Sequence, residues 1–228
     1  ATFIEHIGSE IILRPYQFCN LTEVVIRSTD TEQDLERKIA IATILGTLQA
    51  TYTKFPYLRQ VWQDNTDEER LLGVSLTGIM DNPLTTTANP ELPALLERLR
   101  EVSVMVNKEW AGKLGIKQST AITAVKPSGT VSQLVNSASG IHARHSEYYI
   151  RTVRGAFNDP LTQFMKDQGI PWEPCAHQPD TTVVFSFPQK SPEQAVLTEN
   201  TTAIQQLDTW LAYQRHYCEH KPSVTINV

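Results

Sequence analysis

The chain has 228 residues and a net charge of −5, with hydrophobic residues at 40% and charged residues at 20%. This is ordinary globular composition, long enough for one large domain or two small ones, and it excludes intrinsic disorder. The acidic balance argues against a general nucleic-acid partner, which would need an excess of Lys and Arg, but leaves room for a local phosphate site.

Cys19, Cys175 and Cys218 are far apart and odd in number. Without a C-x-x-C pair they form neither a disulfide scaffold nor a zinc ribbon, which points to a reducing, cytoplasmic setting. No apolar run approaches the ~20 residues of a membrane span and no signal peptide opens the chain. A soluble protein with no membrane partner is expected.

In chain order, Glu10 to Leu13 is apolar and β-prone, and Glu23 to Arg27 repeats the signal with Val24-Val25-Ile26. Pro15 marks a bend between them. Asp30 or Thr31 can cap a helix whose stripe is Leu35, Ile39, Ala42, Leu45 and Leu48, ending before Phe55-Pro56. Leu71 to Thr77 reads as a buried strand. Asn89 and Pro90 open a second helix, striped by Leu92, Leu95, Leu96, Leu99, Val102, Val106 and Trp110 and ended by Gly115. Ala121 to Val125 is short and buried. Asp159-Pro160 starts a helix that Gly169 closes, Thr182 to Phe187 is a strand stopped by Pro188, helical spacing returns at Ile204, Leu207, Leu211 and Cys218, and Ser223 to Val228 is a last strand. Strands alternating with helices predict an α/β domain with largely parallel strands. A chain that stops inside a strand is expected to lack the C-terminal remainder of its domain.

Lys126-Pro127-Ser128-Gly129-Thr130-Val131 joins an apolar strand to a segment able to turn helical. Such a junction aims backbone N–H groups at one spot, where an anion is stabilised. Ser128 and Thr130 would add hydroxyl donors, and Gly129 allows close approach. The P-loop spacing is absent, and from spacing alone a plain Pro-Gly turn between two elements is the better reading. Ser139 to His145, followed by Arg151 and Arg154, supplies a second glycine-bearing segment, with Arg144 among arginines suited to phosphate.

Several blocks keep one order from Ser9 to the end: Glu10-Ile11-Ile12-Leu13-Arg14 with Gln17-Phe18-Cys19-Asn20-Leu21-Thr22-Glu23-Val24, Glu69 to Asp81, Val125 to Leu134, Tyr148 to Arg151 and His220 to Ile226. Together they resemble the adenosylcobalamin-dependent (class II) ribonucleotide reductases. The resemblance implies the C-terminal half of a ten-stranded α/β barrel, with residues 9–228 a partial barrel domain. In that family a cysteine in an Asn-Pro-Cys-x-Glu finger loop becomes a thiyl radical, generated by the 5′-deoxyadenosyl radical of adenosylcobalamin, and takes hydrogen from the ribose 3′ carbon.

By the same resemblance Glu10 matches the base for the 3′ hydroxyl and Cys19 one member of the reducing dithiol. Ser128, Gly129, Thr130 and Val131 match the loop that holds the phosphates of a ribonucleoside di- or triphosphate. The second redox cysteine belongs to an N-terminal half that this chain lacks, and that half is the implied partner.

The match departs from the family at one place. His6 stands where the motif has asparagine, and Gly8 where it has the radical cysteine. Residues 1–8 match nothing else in the family segment. Inteins interrupt many reductase genes at this motif, and splicing requires Cys, Ser or Thr as the first downstream residue, which Ser9 satisfies. A split or intein-interrupted reductase is therefore expected, inactive alone; a paralogue that lost its radical cysteine is the rival origin. A nucleotide-binding module without catalysis, or a half-barrel that self-associates to cover an open sheet edge, are the competing functions. His216, Cys218 and His220, joined by Cys175 and His177, offer metal-type donors, but Cys218 falls on the helix stripe and no metal is expected.

Overall fold

A computed structural model describes residues 10–226 together with the backbone of Ile4–Glu5. The expected junction at Gly8 and Ser9, and the end of the last strand at Val228, lie outside the described residues. The chain divides into two units, one of Ala1–Arg144 with Gln194–Val228 and one of His145–Glu193.

In the larger unit, β1 (Ile4–Glu5) pairs antiparallel with β2 (Ile12–Leu13). β3 (Asn20–Val25) runs parallel to β4 (Leu72–Thr77), with Asn20 opposite Leu72 and Val25 opposite Thr77. All six residues of β4 are buried, as expected of a strand covered on both faces. Beyond β4 the ladder continues without regular strands. Val74 bridges Thr123 in parallel and Val125 bridges Pro222 in parallel, where Ser223 N–H donates to the Val125 carbonyl at 2.8 Å. The parallel expectation holds for β3, β4 and the bridges beyond them but not for the antiparallel β1–β2 pair, and the described part of the last expected strand supplies a bridge at Pro222 rather than a strand.

Helix α1 (Glu32–Gln49) starts at Thr31, which forms a capping box with Asp34. Its buried face differs from the expected stripe: Leu35, Ile39 and Ala42 are buried, but Leu45 and Leu48 are 56% and 39% exposed while Thr43, Gly46 and Thr47 go inside. Small polar residues are tolerated there because each hydroxyl is satisfied on its own helix, Thr43 on the Ile39 carbonyl and Thr47 on that of Thr43.

Helix α2 (Gln60–Glu69), which periodicity does not announce, buries only Thr66 and ends on left-handed Arg70. Helix α3 (Leu92–Leu114) follows its stripe through Leu99, then turns Ser103, Asn107 and Ala111 inward, with Asn107 donating to Thr47 at 3.0 Å. Left-handed Gly115 ends it. A single turn, α4 (Val131–Leu134), follows Thr130.

The second unit corrects the parallel expectation. β5 (Tyr148–Ala156), β6 (Trp172–Pro174) and β7 (Thr182–Lys190) form an antiparallel sheet in the order β5-β7-β6, and α5 (Pro160–Asp167) is capped by Asp159 and followed by left-handed Gly169. Pro188 does not stop its strand, which continues to Lys190 with Pro188 opposite Ile150. β6 reaches only as far as Phe185, so at Pro188 one side of β7 carries no strand and the missing N–H costs no ladder bond.

Helix α6 (Ala203–His216) returns to the first unit, opened by a Thr202–Gln205 capping box. Tyr213 and Tyr217 are fully buried beside Ile26, Leu72, Leu76 and Ile79, and their hydroxyls donate to the carbonyls of Thr85 and Val74. Burying each such apolar side chain contributes roughly 1.5–3 kcal/mol. Among the described residues no helix is long and apolar enough to cross a membrane.

Candidate functional site

Strand alternation puts Val24 into the core and turns Leu21 and Glu23 to the other face, where Gly73 and Ser75 of β4 lie opposite them. Cys19 sits at the head of this face. A Cβ on Gly73 would lie 2.4 Å from Leu21 Cδ2 and 3.5 Å from the Cys19 sulfur, so glycine at 73 makes room for Leu21, with the thiol at ordinary contact distance beside it.

Glu10 reaches the same neighbourhood from the other side. Its backbone carbonyl accepts from Lys221 N–H at 3.0 Å, and its carboxylate is 2% exposed. One oxygen, Oε1, is paired with Lys126 Nζ, while Oε2 has no partner among the described residues. A buried carboxylate oxygen without a donor is expensive, and a ligand hydroxyl placed against it would satisfy it.

The Cys19 thiol is pushed up to about 12, chiefly by burial, with Lys126 opposing the rise and Glu10 adding to it. Near neutral pH the sulfur therefore carries its proton.

Lys126 links these groups to the loop beyond it. Its N–H donates to Ser75 Oγ at 2.9 Å. Ser128, two residues on, is left-handed at φ 55°, a conformation that costs a non-glycine residue roughly 1–2 kcal/mol. Its hydroxyl donates to Glu23 Oε2 at 2.7 Å and accepts from Ser132 N–H at 3.2 Å. Burial raises the Glu23 carboxyl, while hydrogen bonds from Ser128 and Ser75 and the charge of Lys126 hold it back.

Ser128 is buried, and Gly129, Thr130 and Val131 are exposed. The N–H groups of these three donate to no described residue, since the turn's own bonds begin with Ser132 N–H on the Ser128 carbonyl and Gln133 N–H on that of Thr130. The segment expected to form a cradle carries three backbone donors without a described acceptor, and the Ser128 hydroxyl, expected as a further donor, has given its hydrogen to Glu23.

The segment from Ser139 to Arg144 packs behind this loop. Gly140 is left-handed, and a Cβ there would fall 2.4 Å from the Lys126 carbonyl oxygen. Arg144, expected near phosphate, is instead 4% exposed and bound to Asp81 through two hydrogen bonds of 2.7 and 2.8 Å. Asp81 also accepts from Ala138 N–H. Arg151 and Arg154 belong to β5 of the other unit.

Three curated proteins named adenosylcobalamin-dependent ribonucleoside-triphosphate reductase align with most of the chain. The one from Euglena gracilis is 29% identical and matches 94% of the chain, that from Lactobacillus gasseri is 30% identical over 80%, and that from Lacticaseibacillus paracasei is 28% identical over 95%. A crystal structure of a B12-dependent (class II) ribonucleotide reductase superposes on 95% of the chain with a TM-score of 0.79 at 24% identity.

The chain is a relative of the adenosylcobalamin-dependent ribonucleotide reductases. It corresponds to 29%, 27% and 32% of those three relatives and to 34% of the solved reductase chain, about a third in each case. No family model matches it. The likeness to the solved reductase establishes a mixed α/β fold.

The relatives' names carry adenosylcobalamin, but the described residues around Glu10, Cys19 and Glu23 do not fit it. In this cluster Glu10 is buried while Cys19, Glu23 and Lys126 are half-buried. A cleft of about 470 Å³ beside it, lined by Glu23, Arg27, Lys38 and the apolar side of α1, suits an ordinary small ligand and not a corrin with its nucleotide tail. The metal-type donors are occupied within the fold: His216 Nδ1 lies 2.8 Å from Glu97, His220 Nε2 donates to the Leu72 carbonyl at 2.7 Å, and Cys218 is in the core. Cys175 and His177 belong to the second unit.

Lys126, Glu23, Ser75 and Asp81 stand beside the expected site residues, and sequence reasoning does not single them out. Glu23 carries a usable signal, since an acid inside an otherwise apolar strand calls for a partner.

Proposed function

We propose that this chain supplies the base, one redox thiol and the phosphate loop of a ribonucleotide reductase acting on ribonucleoside triphosphates. The observation that carries the reading is the orphaned, buried Oε2 of Glu10, close enough to Cys19 for its charge to act on the thiol and joined through Lys126 to the free N–H groups of residues 129–131. In this role Glu10 takes the hydrogen bond, and then the proton, of the ribose 3′ hydroxyl. Cys19 is one half of a dithiol. As the 2′ carbon–oxygen bond breaks and the hydroxyl leaves as water, the two thiols give up two electrons and two protons and close to a disulfide. The loop fixes the phosphates and thereby the sugar.

The reaction also needs a radical cysteine and a second redox thiol. Gly8 stands at the position matching the former, so the radical cysteine must come from another segment. Ser9, as the first reductase-like residue and a splicing-competent nucleophile type, supports an origin downstream of a split or intein-interrupted motif. Sequence of the encoding locus decides this: an uninterrupted gene encoding Gly8 within a whole barrel would end that account.

The functional test is reconstitution. Residues 9–228 joined to an N-terminal reductase half bearing the Asn-Pro-Cys motif, given adenosylcobalamin and a dithiol, should convert ribonucleoside triphosphates to deoxy products. Glu10→Gln and Cys19→Ser should each abolish conversion. A verified, folded assembly without activity counts against the proposal and in favour of a nucleotide-binding module, which the lack of sulfur at position 8 would suit.

A further inference from the structure

The site contains a carboxylate that its chemistry does not use. Glu23 lies beside the loop read as a phosphate cradle, where a second negative charge opposes the binding of an anion. Its geometry accounts for its presence. Oε2 receives the hydroxyl of Ser128 at 2.7 Å and Oε1 that of Ser75 at 3.4 Å, while Ser75 in turn receives the N–H of Lys126 at 2.9 Å. Glu23 and Ser75 are register partners on β3 and β4, so the acid is fixed to the most rigid part of the unit.

Ser128 is the pivot. It holds a left-handed backbone conformation that serine seldom adopts, and its side chain is tied at both ends, donating to Glu23 and accepting from Ser132 N–H. The next three N–H groups along the chain are the ones with no described acceptor. Were Ser128 to relax to negative φ, the chain direction after it would change and those donors would be re-aimed.

We propose that Glu23 is a positioning residue that locks Ser128 in its left-handed conformation and so presents the N–H groups of Gly129, Thr130 and Val131 as a preformed triphosphate-binding turn. The inference rests on the phosphate-loop reading and adds to it the residue that shapes the loop. Glu23 holds the loop by hydrogen bonding and weakens the anion's affinity by charge, and the two effects separate by substitution.

The test follows the backbone amide resonances of Gly129, Thr130 and Val131 in the full chain, before and during titration with inorganic triphosphate. In Glu23→Ala the anion-free resonances should move away from their wild-type positions and affinity should fall about tenfold below that of Glu23→Gln, which lacks the same charge, the size of one lost buried hydrogen bond. Glu23→Gln keeps an acceptor and loses the charge, so its anion-free spectrum should stay near wild type and its affinity should rise by about threefold to tenfold. Ser128→Ala should displace the same amides, and adding Glu23→Ala to it should change little further. Wild-type resonances retained in Glu23→Ala, or additive effects of the two alanines, would overturn the proposal. A wild-type loop that ignores triphosphate would instead refute the phosphate reading, while the anion-free spectra would still decide whether Glu23 shapes the turn.

Discussion

Glu10 and Lys126, 116 positions apart, form an ion pair whose acid is 2% exposed and whose base is 29% exposed. The asymmetry sets their roles. Lys126 keeps part of its hydration and brings positive charge to a place where Glu10, Glu23 and the Cys19 thiol come together away from water. It does not fill the second oxygen of Glu10, which is left for whatever the site binds.

Removing the lysine should therefore cost more than removing both charges. Lys126→Met leaves a buried carboxylate unpaired and should lower unfolding stability by about 2–4 kcal/mol, at the lower side of what broken buried pairs cost because the lysine is partly solvated. The double variant with Glu10→Gln should recover most of that loss. Urea unfolding midpoints at unchanged slope provide the measurement. Equal losses in the single and double variants would show that the ion pair is not what Lys126 contributes.

Asp81 and Arg144 make the opposite case, a pair with both side chains buried, at 3% and 4%. The guanidinium also donates to the carbonyl and side-chain oxygens of left-handed Asn136, so the pair staples the turn after α4 to the 3-10 turn that follows β4. Asp81→Asn should cost about 3–5 kcal/mol and speed amide exchange at Ala138, whose N–H bonds to Asp81. Unchanged protection at Ala138 would show that the staple does not depend on this carboxylate.

The signals legible in the sequence are those with short-range causes. Capping at Thr31 and Asp159, the apolar run of β4 and the left-handed glycines at 115 and 169 are all readable. What escapes depends on distant partners. Leu45 and Leu48 fit the helical period yet point outward, because Thr47 on α1 meets Asn107 on α3 and draws the small residues inward. β5 and β7 pair over nine positions each in an antiparallel sheet, an arrangement that strand-helix alternation does not reveal. In the site, family resemblance locates Glu10, Cys19 and residues 128–131. Spacing does not show that Lys126 faces Glu10 or that Arg144 is consumed by Asp81, since both depend on how distant parallel segments stack.

Cys19 should be slow to react. With its thiol pushed up to about 12, only about one molecule in ten thousand is thiolate at pH 8, so alkylation by iodoacetamide should run about a thousandfold slower than in the unfolded chain. Lys126→Met should slow it further, because the lysine is the group that lowers the thiol. Mass-spectrometric labelling rates at Cys19 measure both effects, and a native rate within about tenfold of the unfolded one would contradict the protonated, half-buried thiol.

His220 should make the fold sensitive to mild acid. Burial holds its imidazole below the usual 6.5, with the Leu72 carbonyl and Glu219 partly opposing the shift. The folded chain then binds fewer protons at this site than the unfolded chain does, so stability contributed here is complete above pH 6.5 and is lost as pH falls from 6.5 through the lowered folded value. The Nε2–H bond to the Leu72 carbonyl persists in the neutral ring, so the loss comes from forcing charge into the core. His220→Gln removes the titration and should flatten this part of the profile. Unfolding free energies of the two proteins should run parallel above about pH 7 and diverge below about 6.5, with the wild type falling faster. Parallel curves down to about pH 5 would mean that the imidazole accepts its proton inside the fold without penalty.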